Sequence, residues 1–365
     1  MRLRKQKKVV AVTLATAIAV STISASASAV SYDLAKGDVT IDQDADHGAF
    51  SYQGEDKKEN RTYVNEDKDD DGKIIINGDK DTPTENTVIV KEDVKKTKKD
   101  DGSEGRDVDI VINGVNADTS ETGKSTVTVG EGADVDLTVK DSTLPTGGNG
   151  IDIGKDLDGT DENKDTKVDL TLEDTTINQT NKNSAGLDVR QGSDVDLTLK
   201  GDNIIDGSQA TGDKNVSDNT NVEGIRVGGE VASDSSDAKK DAHLTIKGDK
   251  DETADTTEET SGGSLTIKDT TTGMVIAGGS KEKDSSVTLT DGADVTIQDT
   301  HVSGSTQSGS GVIQHGDLTL DDGSSLTIDN VESVERVGKD GKTYTAGGLG
   351  IASWNDIIVQ ATSKL

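Results

Sequence analysis

A five-residue alternation of aliphatic and polar residues recurs along the chain and restricts what it can fold into. It reads Val135-Asp-Leu-Thr-Val139, Val168-Asp-Leu-Thr-Leu172, Val195-Asp-Leu-Thr-Leu199 and Ala242-His-Leu-Thr-Ile246. Shorter copies stand at Leu265-Thr-Ile267, Val287-Thr-Leu289, Val295-Thr-Ile297, Leu318-Thr-Leu320 and Leu326-Thr-Ile328. A period of two predicts strands with one buried face, the aliphatic residues pointing one way and the Asp and Thr residues the other.

A second signature falls between these copies, a glycine followed by an aliphatic residue, at Gly150, Gly186, Gly224, Gly273, Gly311 and Gly350. The intervals are 36, 38, 49, 38 and 39 residues. Upstream, Ile74-Ile-Ile-Asn-Gly78 and Ile110-Val-Ile-Asn-Gly114 repeat one another 36 residues apart. A module of this size, built from two or three short strands, cannot bury its apolar face alone and must stack on copies of itself. Frequent Gly, Asp and Asn breaks and the absence of helical periodicity predict an all-β chain, a parallel β-helix (β-solenoid) with acidic loop insertions. Propeller blades have a similar repeat length, but they carry more aromatic packing than six aromatic residues can supply.

The charge-rich, small-residue stretches near 94–106, 155–166, 209–221, 233–241 and 249–262 read as excursions from the turns of successive coils. Residues 30–72 are less regular and hold three of the four tyrosines and the only phenylalanine. They read as an N-terminal cap region ahead of a repeat domain over 73–365.

Residues 1–29 have the plan of a signal peptide. Arg2, Arg4, Lys5, Lys7 and Lys8 precede an apolar run from Val9 to Val20, and small residues follow as far as Ala29. The expected location is therefore secreted or extracellular, with cell-surface association, and the apolar run is too short to span a bilayer. Removing the segment takes five of 39 cations and no acid, leaving 34 Lys and Arg against 70 Asp and Glu, a net charge of −36. That balance argues against nucleic acid as a partner and makes divalent cations a natural question. The chain has no cysteine, which rules out disulfides, zinc–thiolate sites and thiol nucleophiles.

The strongest metal pattern is Asp67-Lys-Asp69-Asp-Asp71-Gly72, with acids at alternate positions before a glycine. Three carboxylates at that spacing converge on one hard cation, as in the first half of a calcium loop. Gly78 stands where the bidentate glutamate of an EF-hand would be, so a shorter Ca2+ turn or a solvated acidic loop are the two readings. Asp156-Leu-Asp158-Gly159-Thr-Asp161 is a weaker version of the same pattern.

If the copies stack in register, Asp136, Thr138, Asp169, Thr171, Asp196 and Thr198 form ladders on one face. Such an array suits sugar hydroxyls, and it equally suits an ordinary wet strand face that uses Thr for its β preference. Catalysis finds little support. The arginines Arg61, Arg106, Arg190, Arg226 and Arg336 fall in different modules, and His47, His243, His301 and His315 lack a Ser or Asp partner motif.

The run Ser193-Asp-Val-Asp-Leu-Thr-Leu-Lys-Gly-Asp-Asn-Ile-Ile205, with Gly224-Ile-Arg-Val227 and Gly262-Gly-Ser-Leu-Thr-Ile267, resembles the core of bacterial exported parallel β-helix proteins known as carbohydrate-binding domain proteins. Tyr32-Asp-Leu-Ala-Lys-Gly-Asp-Val-Thr-Ile41 is similar to the opening of many such proteins. The resemblance covers roughly residues 32–330 and implies a right-handed parallel β-helix, Ca2+ on the coils, and binding of plant or cell-wall polysaccharide without catalysis. The expected function is an extracellular polysaccharide-binding surface module supported by calcium. The alternatives are a structural or adhesive solenoid with a protein partner at the cell surface and, third, a polysaccharide lyase.

Overall fold

The computed structural model describes residues 30–44, 48–55, 58–63, 72–92, 94–95, 108–159, 164–211, 221–228, 241–249, 263–277, 285–301, 309–337, 341–360 and 362–365. These residues form a right-handed parallel β-helix. The Val-Asp-Leu-Thr-Val strand Asp134–Lys140 is followed by Thr143–Thr146 and Ile151–Lys155, and the chain then returns to Thr166–Glu173 beside the first. Each circuit of three strands is one coil, and equivalent strands of successive coils build three sheets of ten, six and eleven strands, the last of which includes two antiparallel strands at one edge.

The first sheet runs from Val30–Asp33 through Asp134–Lys140, Thr166–Glu173, Ser193–Lys200 and His243–Gly248 to Ile357–Val359, every pair parallel. Register is kept by identity of position: Leu137, Leu170, Leu197, Ile246, Leu289 and Leu320 pair in turn. All are buried. Each such side chain contributes about 1.5–3 kcal/mol through burial, and a one-residue slip would turn every one outward. The coil from Lys167 to its partner Asp194 has 27 residues, and the next, from Asp194 to His243, has 49. The variable module length is thus a fixed strand frame plus excursions of different size.

The corner between the first and second sheets is set by left-handed residues stacked coil on coil, Gly114 (φ 63°), Asp141 (φ 51°), Asp174 (φ 47°) and Gly201 (φ 60°). Aspartate is among the few residues other than glycine that tolerate this conformation.

The glycine signature has a steric cause. Gly150, Gly186, Gly224, Gly273 and Gly311 lie just before or within the first three residues of the third-sheet strands, and each faces the Cγ2 of an isoleucine of the second sheet: Ile177, Ile205, Ile267, Ile297 and Ile328. A Cβ on any of these glycines would stand 2.2–2.5 Å from that methyl group. The solenoid is too narrow there for two side chains.

Within the 30–72 stretch, Val30–Asp33 pairs in parallel with Gly72–Asn77 and Val39–Asp44 with Val88–Val90. Gly48–Glu55 and Lys58–Tyr63 then continue the third sheet as antiparallel strands. Among the described residues no helix is long and apolar enough to cross a membrane.

Candidate functional site

The outward face of the first sheet carries the ladders. Asp109, Asp136, Asp169 and Asp196 are register partners on four successive strands, which sets neighbouring backbones of the row about 4.8 Å apart. Lysines flank this row: Lys73 Nζ donates to Asp109 Oδ2 at 2.9 Å, and Lys247 Nζ donates to Asp196 Oδ2 at 2.6 Å. Thr138, Thr171 and Thr198 form the adjacent row, and Lys247 continues it. On the other side Asp134, Lys167, Asp194 and His243 form one row. The six ladder residues read from sequence are therefore brought together on one face. Asp109, Lys73 and Lys247 belong to the same face and lie in words that do not match the Asp-Leu-Thr pattern.

Where these strands begin, Asp165, Thr166, Lys167, Asp194, Asp241 and His243 line a shallow cleft of about 330 Å3. His243 Nδ1 lies 2.8 Å from Ser286 Oγ of the next coil.

Of the residues expected to bind metal, Asp67, Asp69, Asp71 and Asp161 lie outside the described residues. Asp156 and Asp158 gain a third carboxylate that spacing could not reveal. Glu92, which follows Val88–Val90, offers an oxygen within 4.8 Å of one from each. Glu92 Oε1 accepts the backbone N–H groups of Leu157 (2.5 Å) and Asp158 (3.0 Å), and Asp156 Oδ1 accepts that of Gly159 (2.6 Å). The acidic turn is thereby folded across the intervening strand Val127–Gly130 onto the residue that follows Val88–Val90.

A charged cluster lies on the outward side of the third sheet, where Asp152, Asp188 and Arg226 occupy one register position on consecutive strands. All three are buried, Asp152 and Asp188 to 1–2% exposure. Arg190 forks onto Asp152, its Nε donating to Oδ1 at 2.6 Å and its Nη2 to Oδ2 at 3.0 Å, and lies 3.7 Å from Asp188 Oδ2. Arg226 Nη1 donates to Asp188 Oδ2 at 3.4 Å, and its Nε donates to Glu223 Oε2. Asn149 Nδ2 also donates to Asp188 Oδ2, at 2.9 Å. Asp188 Oδ1 has no hydrogen-bond partner. Burial pushes the Asp188 carboxyl up to about 6 against the opposing pull of Arg226. For Arg190, burial works against the charge, but the hydrogen bonds it donates to Asp152 and the nearby carboxylate charges outweigh it and raise its pKa. Two arginines from separate modules therefore meet over one carboxylate, because stacking converts 38 residues of chain, Asp188 to Arg226, into a single strand spacing.

His243, His301 and His315 lie at turns and strand ends, and His47 lies outside the described residues. His301 Nε2 is 3.1 Å from Asp269 Oδ1, and His315 stacks on Trp354 with ring centroids 4.4 Å apart and planes 7° apart.

Comparison with protein-family models, curated proteins and solved structures finds no match.

Proposed function

We propose that this protein is an exported, non-catalytic module that binds polysaccharide along the outward face of its first sheet, with Ca2+ as a supporting ion. The observation that carries this reading is the in-register pairing of Asp109, Asp136, Asp169 and Asp196 beside Thr138, Thr171 and Thr198. A parallel sheet repeats the same carboxylate and hydroxyl at every strand spacing, and a polymer of sugars repeats its hydroxyls along one axis. Carboxylate and hydroxyl oxygens accept hydrogen bonds from sugar hydroxyls, and the lysines at the ends supply donors. The signal-like N-terminus supports export.

For calcium, the three carboxylates of Glu92, Asp156 and Asp158 suit a hard cation that takes oxygen ligands, with backbone and water oxygens completing its shell. An ion there would bridge two coils across the one that lies between them.

The test is retention of the protein on a panel of neutral, amino-sugar and acidic polysaccharides, with and without a chelator, alongside the variant Asp169→Ala/Thr171→Ala. Retention of the native chain, lost in the variant, is the expected result. Equal retention of both moves binding off this face. No retention on any glycan favours the structural or adhesive reading, which draws on the exposed apolar side chains Leu349, Trp354, Ile357, Ile358 and Val359. Release of unsaturated products would make the protein a lyase.

A further inference from the structure

Among the described side chains, every exposed large apolar one lies within residues 349–365: Leu349, Trp354, Ile357, Ile358, Val359 and Leu365. They belong to the coil at one end of the stack. Leu349–Ser353 and Ile357–Val359 are the outermost strands of the third and first sheets, and Lys364 bridges Ser325 on the outermost strand of the second. One coil further in, Leu318 and Leu320 are 0% exposed, whereas their register partners Ile357 and Val359 are 37% and 44% exposed. The positions that make the core elsewhere stand open here, ringed on three sides by strand edges.

The opposite end of the stack is built differently. Its inward residues Leu34, Val39 and Ile41 are 0% exposed, and the antiparallel strands Gly48–Glu55 and Lys58–Tyr63 extend the third sheet beyond the coils. That end therefore presents no coil face to match the open one.

A body that covers the open end must offer strand edges on the same three-sided outline around an apolar centre. The open end of a second copy does so by construction. Charge allows the approach as well: residues 349–365 carry one acidic and one basic side chain, Asp356 and Lys364, in a chain whose net charge is −31. Two such acidic molecules repel one another over most of their surface, and least at this end.

We propose that the open end is a self-association face on which two copies dock end to end, about a two-fold axis perpendicular to the solenoid. The axis reverses one copy, so the edge strands pair antiparallel across the joint and the two apolar columns become continuous. Because both copies use the same face, the assembly closes at two and does not grow into a filament. This association is independent of what the first sheet binds.

The test is sedimentation of the full chain from micromolar to millimolar concentration, with tryptophan emission followed in parallel. Trp354 is the only tryptophan and is 67% exposed, so its emission is expected to move to shorter wavelength as the dimer forms. Added salt screens the repulsion between two acidic bodies and is expected to strengthen the dimer. A chain that stays monomeric at every concentration and salt level overturns the proposal. So does a dimer that leaves the emission unchanged, or an assembly that grows past two.

Ile357→Asp/Val359→Asp sets two carboxylates from each copy in the joint, and the dimer is expected to weaken by roughly tenfold or more. A variant that dimerises as tightly as the native chain would place the contact elsewhere. The emission and salt readouts are made on the native chain and do not depend on the variant folding.

Discussion

Gly224 lies directly against Ile267: a Cβ on the glycine would stand 2.2 Å from the isoleucine Cγ2 and 2.4 Å from the carbonyl oxygen of Gly273. One contact is with a side chain and the other with the backbone of the next coil, so neither neighbour can step aside cheaply. Gly224→Ala is expected to cost about 1–3 kcal/mol by overpacking. Adding Ile267→Ala, itself costly as a cavity, should give a double variant less destabilised than the sum of the two, because the second change removes the methyl that the first collides with. Urea denaturation of the four proteins measures this, and strict additivity would mean that the two sites do not clash.

Arg190→Met removes the fork that satisfies Asp152 and leaves that carboxylate buried at 1% exposure with its principal cation gone. The expected loss is about 3–5 kcal/mol. Asp152→Asn/Arg190→Met should recover part of it, since the stranded charge is then gone. A double variant as unstable as Arg190→Met would show that the packing of the arginine side chain, rather than its charge, holds this position.

Asp206 provides a pH dependence. Burial works to raise its pKa, but the Ser208 hydroxyl and backbone N–H and the Lys268 ammonium, 2.9 Å away, outweigh burial and lower it. A carboxyl depressed by folding stabilises above its unfolded value and loses that contribution as the pH falls through the folded one. Asp206→Asn should therefore be less stable than the native chain at pH 7, by less than about 1 kcal/mol for so peripheral a pair. The gap should close in acid. Thermal midpoints of the two proteins at pH 7 and at pH 3 measure the difference, and a gap that widens in acid would contradict the assignment.

Calcium at Glu92, Asp156 and Asp158 would stabilise the folded chain by mass action. Millimolar Ca2+ is expected to raise the melting temperature of the native chain, with a chelator reversing the shift. Glu92→Gln should reduce that response. An undiminished response in Glu92→Gln would put the ion elsewhere, and no response in either protein would remove calcium from this turn.

The strand words were legible in the sequence because burial in a parallel sheet depends on a local, period-two pattern. Val135, Leu137 and Val139 point inward, and Asp136 and Thr138 point outward, as that alternation requires. The glycine interval was legible as a spacing but not as a contact, since nothing in the sequence around Gly224 names Ile267 as its neighbour. The same holds for Glu92, whose side chain meets the backbone of Leu157, 65 residues on. Acidic clusters can be read along the chain; convergence between coils cannot.

Sequence alone determined the all-β repeat, the buried aliphatic face and the outward Asp and Thr rows, because each follows from short-range periodicity and from the need of an incomplete module to stack. Tertiary structure decided which residues share a place. Register between coils set Asp109 in line with Asp136, Asp169 and Asp196, and the same stacking set Arg190 and Arg226 on either side of Asp188. The physical reason is that coils vary in length while strands remain in register. Distance along the chain therefore carries no fixed meaning across it, and the charged neighbours of any one residue are chosen by the stack.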